Sequence, residues 1–185
     1  MRYLDKETFA ENPGNVTISN KKYYKIKKLL SLNFNDSIYF YKQKKKLNEF
    51  MKFGDTQPAI VYSISPLLIA AYSDEMDAVL MLKFPEELAK QYKLTVGTRI
   101  VTSNVYVHKN QFGISEDIFI GENYLNRYRD FIPIVALFLS RNESFLKNQT
   151  NLFNESTWQV VKEKASEYTK KHPDLYRNGF FYLLK

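Results

Sequence analysis

The sequence predicts an α+β fold, a single domain in which a mostly antiparallel sheet of at least four strands packs against helices. Three observations carry this. Pro58–Ile64, Leu67–Tyr72, Ala78–Phe84 and Arg99–Val107 are short runs dense in apolar and β-branched residues, each of strand length. Segments with helical apolar spacing flank them, Lys21–Leu32 and Ser156–Lys171 most clearly. The chain has 185 residues, 44% of them hydrophobic and 25% charged, which suits one packed core over residues 1–185 and requires no second domain.

Taken in order, residues 1–14 read as a loosely ordered start, and Asn15–Ser19 as a short strand. Lys21–Leu32 reads as an amphipathic helix with Ser19 or Asn20 as its cap. Tyr23, Ile26, Leu29 and Leu30 share one arc, and Lys25, Lys27 and Lys28 fall outside it. Ser37–Tyr41 is rich in β-formers and reads as a strand, Lys42–Phe53 as a short helix ended by Gly54-Asp55. Ser63–Pro85 is ambiguous. Ser65-Pro66 suits a helix start, and a single helix to Phe84 is one reading. That helix would carry Asp74, Glu75 and Asp77 in its middle and would lack a continuous apolar face. A hairpin confines those acids to one tip between two apolar strands, and the hairpin is the expectation.

Pro85-Glu86-Glu87 begins a short helix to about Tyr92, with proline first and acids in the first turn. Thr95–Thr98 reads as a turn, His108–Gly113 as a loop and Ile114–Ile120 as a half-exposed strand. Pro133–Ser140 reads as a buried helix started by Pro133, and the polar Asn142–Asn154 as a loop. Ser156–Lys171 is the clearest helix, lined by Trp158, Val161, Ala165 and Tyr168, capped by Ser156 and stopped by Pro173. Phe180–Leu184 reads as a last strand.

Composition narrows the function classes. With no cysteine there is no disulfide, thiolate metal site or thiol nucleophile. No apolar run approaches the ~20 residues of a membrane span, and the opening residues lack the apolar stretch of a secretory signal, so a cytoplasmic protein without membrane association is expected. Glycine-rich phosphate loops, the Gly-x-Ser-x-Gly elbow and the His-Glu-x-x-His pair are missing from the sequence. Only His108 and His172 are available as imidazoles, and each reads as an ordinary loop histidine. Glu116, Asp117, Glu163 and Lys164 lack the spacing of a metal-dependent nuclease. Arg127, Arg129 and Asp130 read as an internal ion-pair knot at a helix start. No cofactor and no metal are expected, and the balance leans away from an enzyme, although scattered Asp, Glu, Arg, Tyr and Lys leave an unrecognised site as one alternative.

Two groups of residues remain as binding candidates. Asp74, Glu75 and Asp77 read as a solvated turn or as an acidic docking point for a basic partner, and their spacing does not match a calcium loop. The second group follows from the charge distribution. The net charge is +7, and Lys21–Lys52 holds ten lysines against Asp36 and Glu49. Lys21, Lys22, Tyr24, Lys25 and Lys28, with Lys42, Lys44, Lys45 and Lys46, are the candidate contacts for a protein partner or for nucleic acid. Lysines neutralise phosphates and exposed tyrosines stack on bases. The segment has no arginine, however, and its tyrosines read as core-facing. The leading expectation is therefore a non-catalytic module that binds another protein, a size and simplicity that would fit a toxin-neutralising immunity protein. Nucleic-acid binding through residues 21–52 is the alternative.

Overall fold

Ser63–Pro85 is a hairpin. In the computed structural model, which describes residues 10–30, 37–108 and 113–183 (backbone alone over 37–40), strand β2 spans Leu67–Ser73 and β3 spans Ala78–Phe84. Leu67 pairs with Phe84 and Ser73 with Ala78, and Asp74–Asp77 form the tip. Strand β1 spans Asp55–Ile64, three residues earlier than its apolar run suggests, and turns into β2 through Ser65-Pro66. Strand β4, Arg99–His108, returns to the other side of β1, and β6, Tyr128–Val135, pairs with β4. With β5, Phe119–Ile120, the order is β5-β3-β2-β1-β4-β6, and β7, Arg177–Asn178, lies parallel to β3. Every other pairing is antiparallel. The expected α+β architecture stands.

The sheet curls. Arg177 on β7, beside β3, donates from Nη1 to the Phe131 carbonyl of β6 at 2.9 Å and pairs with Asp130 at 3.0 Å and Asp117 at 2.6 Å. One side chain thus ties the two ends of the sheet together. Alternation then assigns the faces. Val61, Leu67, Ile69, Ala71, Leu80 and Leu82 enter the main core, which also takes Tyr23, Ile26, Leu47, Met51 and Leu88 from the helices. Ile60, Ala70, Tyr72, Val79 and Met81 point the other way, onto α5 (Glu155–Lys171), whose Trp158, Val161, Ala165 and Tyr168 are all buried as the spacing predicts. The cap of α5 is Asn154, two residues ahead of the expected Ser156, and its side chain accepts from the Thr157 N–H at 2.9 Å.

Several expectations fail, each for an identifiable reason. Ser37–Tyr41 is the first part of α2, Ser37–Phe53. No turn residue separates it from the helical Leu47, Phe50 and Met51, and extending an existing helix is cheaper than starting a strand. Pro133 lies within β6 and starts no helix. β6 follows β4 at the end of the ladder, where a residue without an N–H is tolerated. Asn142–Asn154 is not a loop: Asn142 accepts from the Phe145 N–H and starts α4, Glu143–Gln149. Asn15–Ser19 forms no strand, but buries Val16 and Ile18 as extended chain with an isolated bridge at Ile18. Within Ile114–Ile120 only β5 is a strand, and Phe181–Leu183 is a 3-10 turn. Helix α1, Asn20–Leu29, is capped by Ser19 as expected, but Lys27 is buried and Leu29 exposed. Helix α3 is Glu87–Gln91. Of the loosely ordered start expected over residues 1–14, residues 1–9 fall outside the described residues, and Asn12–Gly14 lie along the start of β1, with the Asn12 carbonyl accepting from the Thr56 N–H at 2.8 Å and the Gly14 N–H donating to the Gly54 carbonyl at 2.9 Å.

Candidate binding face and the acid network beside it

The lysine-bearing helices create two grooves. The first, about 460 Å³, lies between α1 and α3, with Lys22, Lys25 and Lys28 on one side and Leu88, Tyr92 and Phe138 among its apolar lining. Its cations are largely engaged. Lys22 Nζ reaches Glu143 Oε1 at 2.6 Å and the Leu137 carbonyl at 3.0 Å, and stands 5.0 Å over the Tyr92 ring. Lys25 Nζ donates to Gln91 Oε1 at 2.6 Å. The second groove, about 500 Å³, lies between α2 and the chain around Phe181. Leu47, Phe50, Ile132 and Phe181 supply its apolar surface, with Lys42, Lys45, Lys46 and Glu49 along its rim. Tyr182 also lines it, and the Tyr182 hydroxyl is buried without a hydrogen-bond partner among the described residues. Burial pushes that phenol well above the usual tyrosine range.

Six of the nine candidates therefore line one groove or the other. Lys21 and Tyr24 are exposed on α1, and Lys44 is half-buried on α2. The tyrosines depart from expectation. Tyr23 is buried, but Tyr24 is 50% and Tyr41 71% exposed. Lys27 is fully buried, with its Nζ 5.3 Å from the Tyr23 ring centre, and burial lowers its pKa from the ordinary lysine value.

The acidic tip is not a uniformly solvated turn. Asp74 is exposed and Glu75 half-buried, but Asp77 is 5% exposed, in the left-handed region with φ 44°. Its carboxylate pairs with Lys164 of α5 at 2.9 Å and accepts from the Tyr72 hydroxyl at 3.2 Å and the Asn123 N–H at 3.0 Å. Burial alone would raise its pKa. The bonds from Lys164, Asn123 and Tyr72 outweigh burial and hold it below the ordinary value. Gly121 passes against this pair, where a Cβ would collide with both the Lys164 ammonium and the Asp77 carboxylate.

A second buried acid went unnoticed in the sequence. Asp55 and Gln57 lie on β1 on the same face as Ala59, because strand residues two apart share a face. Gln57 Nε2 donates to Asp55 Oδ2 and to Asp74 Oδ1, both at 2.6 Å, and the Asn12 N–H reaches Asp55 Oδ1 at 3.1 Å. Burial raises Asp55 to about 6. Bonds from Gln57 and Asn12 work against that rise, and the charges of Asp74 and Glu75 add to it. Glu75 is raised as well, by burial first and then by Asp74, with Arg127 opposing. Nearby, Ser73 Oγ donates to the Tyr106 hydroxyl at 3.3 Å and Asn104 Nδ2 to the Tyr72 carbonyl at 2.8 Å. The available signal was the polar alternation of Asp55 and Gln57 running directly into Ala59 and Val61.

The other polar residues singled out in the sequence are distributed through the fold. Asp117 and Asp130 both hold Arg177, so the knot expected of Arg127, Arg129 and Asp130 at a helix start is replaced by a different one: of those three, Asp130 on β6 joins it, and Arg177, distant in sequence, is its centre. The guanidinium of Arg127 lies over the Tyr128 ring at 5.3 Å. His108 packs on Tyr128 and His172 on Tyr168. Among the described residues, no group of three or more His, Asp or Glu side chains is placed to hold a metal ion, and no helix is long and apolar enough to cross a membrane. Comparison with protein-family models, with curated proteins and with solved structures gives no match.

Proposed function

We propose that the protein is a non-catalytic, cytoplasmic interaction module that docks another protein on the face built by α1 and α2, in the manner of a protein that neutralises or scaffolds its partner. A toxin-neutralising immunity protein is one such role. The observation that carries this reading is an apolar groove fenced by lysines: Leu47, Phe50, Ile132 and Phe181 below, Lys42, Lys45 and Lys46 above. Apolar centres with polar rims are the anatomy of protein interfaces, and a rim that is positive at three positions and negative only at Glu49 steers a mainly acidic partner. The carboxylates of Asp55, Asp74 and Asp77 support it too, since each is engaged by a side chain of the fold.

Nucleic-acid binding is a second reading, favoured by the exposed Tyr24 and Tyr41 among the lysines. Against it, neither helix carries an arginine, the side chain that best reads base edges. Capture from the native host at physiological salt, with and without nuclease, separates the two. The expected result is a protein partner that survives nuclease and is lost when Lys42, Lys44, Lys45 and Lys46 are changed to Gln. Nuclease-sensitive capture, or sub-micromolar oligonucleotide binding at physiological salt lost in that variant, would put the second reading first.

A further inference from the structure

We infer that the groove beside α2 receives a short amphipathic helix with acidic residues flanking its apolar stripe. This rests on the protein-interaction reading above and names the chemistry of the partner. Three observations lead to it. The rim is periodic. Lys42, Lys45, Lys46 and Glu49 stand at i, i+3, i+4 and i+7 of one helix, so the charged edge runs roughly 10 Å beside the groove. A partner helix offers apolar anchors at the same intervals, and about 500 Å³ of half-open apolar space suits the roughly two or three side chains such a helix inserts.

The charges of that rim are also unspent. Among the described residues Lys42, Lys45 and Glu49 make no hydrogen bond or ion pair, and Lys46 only overlies the Phe50 ring at 5.3 Å. In the α1 groove, Lys22 and Lys25 already hold Glu143 and Gln91. Of two grooves similar in size and lining, only the α2 groove keeps most of its cations available to an outside carboxylate.

Finally, the rim has polarity. Three positive positions are followed by one negative, so a partner with acids along most of its flank and a basic residue near one end fits in a single direction. A phosphate backbone, negative throughout, would meet Glu49 as a repulsive end.

The test uses the full chain and labelled synthetic peptides of about four helical turns, followed by fluorescence anisotropy at physiological salt. One peptide carries a leucine stripe flanked by Glu, one has the same composition scrambled to abolish the stripe, and one carries Lys in place of Glu. A single-stranded oligonucleotide is the fourth probe. The acidic amphipathic peptide is expected to bind at least about tenfold tighter than the scrambled one. Lys42→Glu with Lys45→Glu is expected to cost it about tenfold or more and to create binding of the Lys peptide. Both lysines are exposed, so the variant should melt like the wild type, and the milder Lys42→Gln with Lys45→Gln should weaken binding without the charge swap. Equal binding of the scrambled peptide, or indifference to the variants, overturns the inference. If no peptide binds but a host protein is still captured and lost on Lys42→Glu, the helix chemistry fails and the docking face stands. If only the oligonucleotide binds, both fail.

Discussion

Asp55 and Asp77 are each 5% exposed, and both lie at the end of the sheet where β1 starts and β2 turns into β3. Yet the fold moves their pKa values in opposite directions. Asp77 meets a cation, a hydroxyl and a backbone N–H, and its charged form is preferred. Asp55 meets a neutral amide that it shares with Asp74, and like charges lie nearby, so its protonated form is preferred up to about pH 6. Burial sets the size of the problem, and the partner sets its sign. One acid anchors the hairpin tip to α5, and the other leaves a carboxylate in the sheet that the fold would hold more cheaply as an acid.

That contrast can be broken most forcefully at Lys164. Lys164→Met leaves the Asp77 charge buried without its cation and should cost about 3–5 kcal/mol in urea unfolding at neutral pH. The cost should shrink as acid protonates Asp77. A loss below about 1 kcal/mol would mean that the pair behaves like an exposed surface bridge.

The pH profile sharpens the other half. A carboxyl raised in the folded state binds its proton more tightly there than when unfolded. Asp55 therefore lowers stability progressively as pH rises from the ordinary aspartate value, about 4, through about 6. The expected drop over that window is about 2–3 kcal/mol. Asp77, with its pKa lowered, works the other way. Its contribution is present above the ordinary aspartate value and lost as pH falls through the folded one. Asp55→Asn should remove the falling limb of a stability-versus-pH curve, and Asp77→Asn the acid-side loss. If Asp55→Asn leaves the slope intact, Asp55 is not the group that titrates.

The smallest effect is expected at Tyr72. Tyr72→Phe deletes one of the donors to Asp77 and should cost about 1–2 kcal/mol by thermal or urea unfolding. Combined with Lys164→Met it should cost less than the sum, because both act on the same carboxylate. Strict additivity would show that Tyr72 contributes through packing alone.

Sequence patterning located features whose determinants are local. The hairpin followed from two apolar runs around one polar tip, and the α5 face followed from Trp158, Val161, Ala165 and Tyr168 at helical spacing. It failed where a neighbour decides. Whether "SIYFY" is strand or helix depends on the helix that continues it, and whether Pro133 starts a helix or sits in a strand depends on the ladder beside it. The site divides the same way. The lysines of α1 and α2 were legible as a cluster, but their difference was not, because it lies in Glu143 and Gln91, distant in sequence, which occupy one set and leave the other open. Asp77 read as a turn acid for the same reason: its partner, Lys164, is on α5.

Arg177 has a consequence for association between copies of the chain. β2 and β3 are the most continuously apolar strands here, and a bare strand edge in such a sheet is a template for growth by a neighbouring molecule. The outer side of β3 is occupied by β5 at one end and β7 at the other. On β6, the carbonyls of Tyr128, Arg129 and Phe131 are taken by the Tyr124 hydroxyl, the Ser115 N–H and Arg177. Arg177→Ala would leave Asp117 and Asp130 without their shared cation and free the Phe131 carbonyl. The damage should therefore appear as aggregation at concentrations where the parent chain stays clear, even if the far-ultraviolet spectrum still reads as folded.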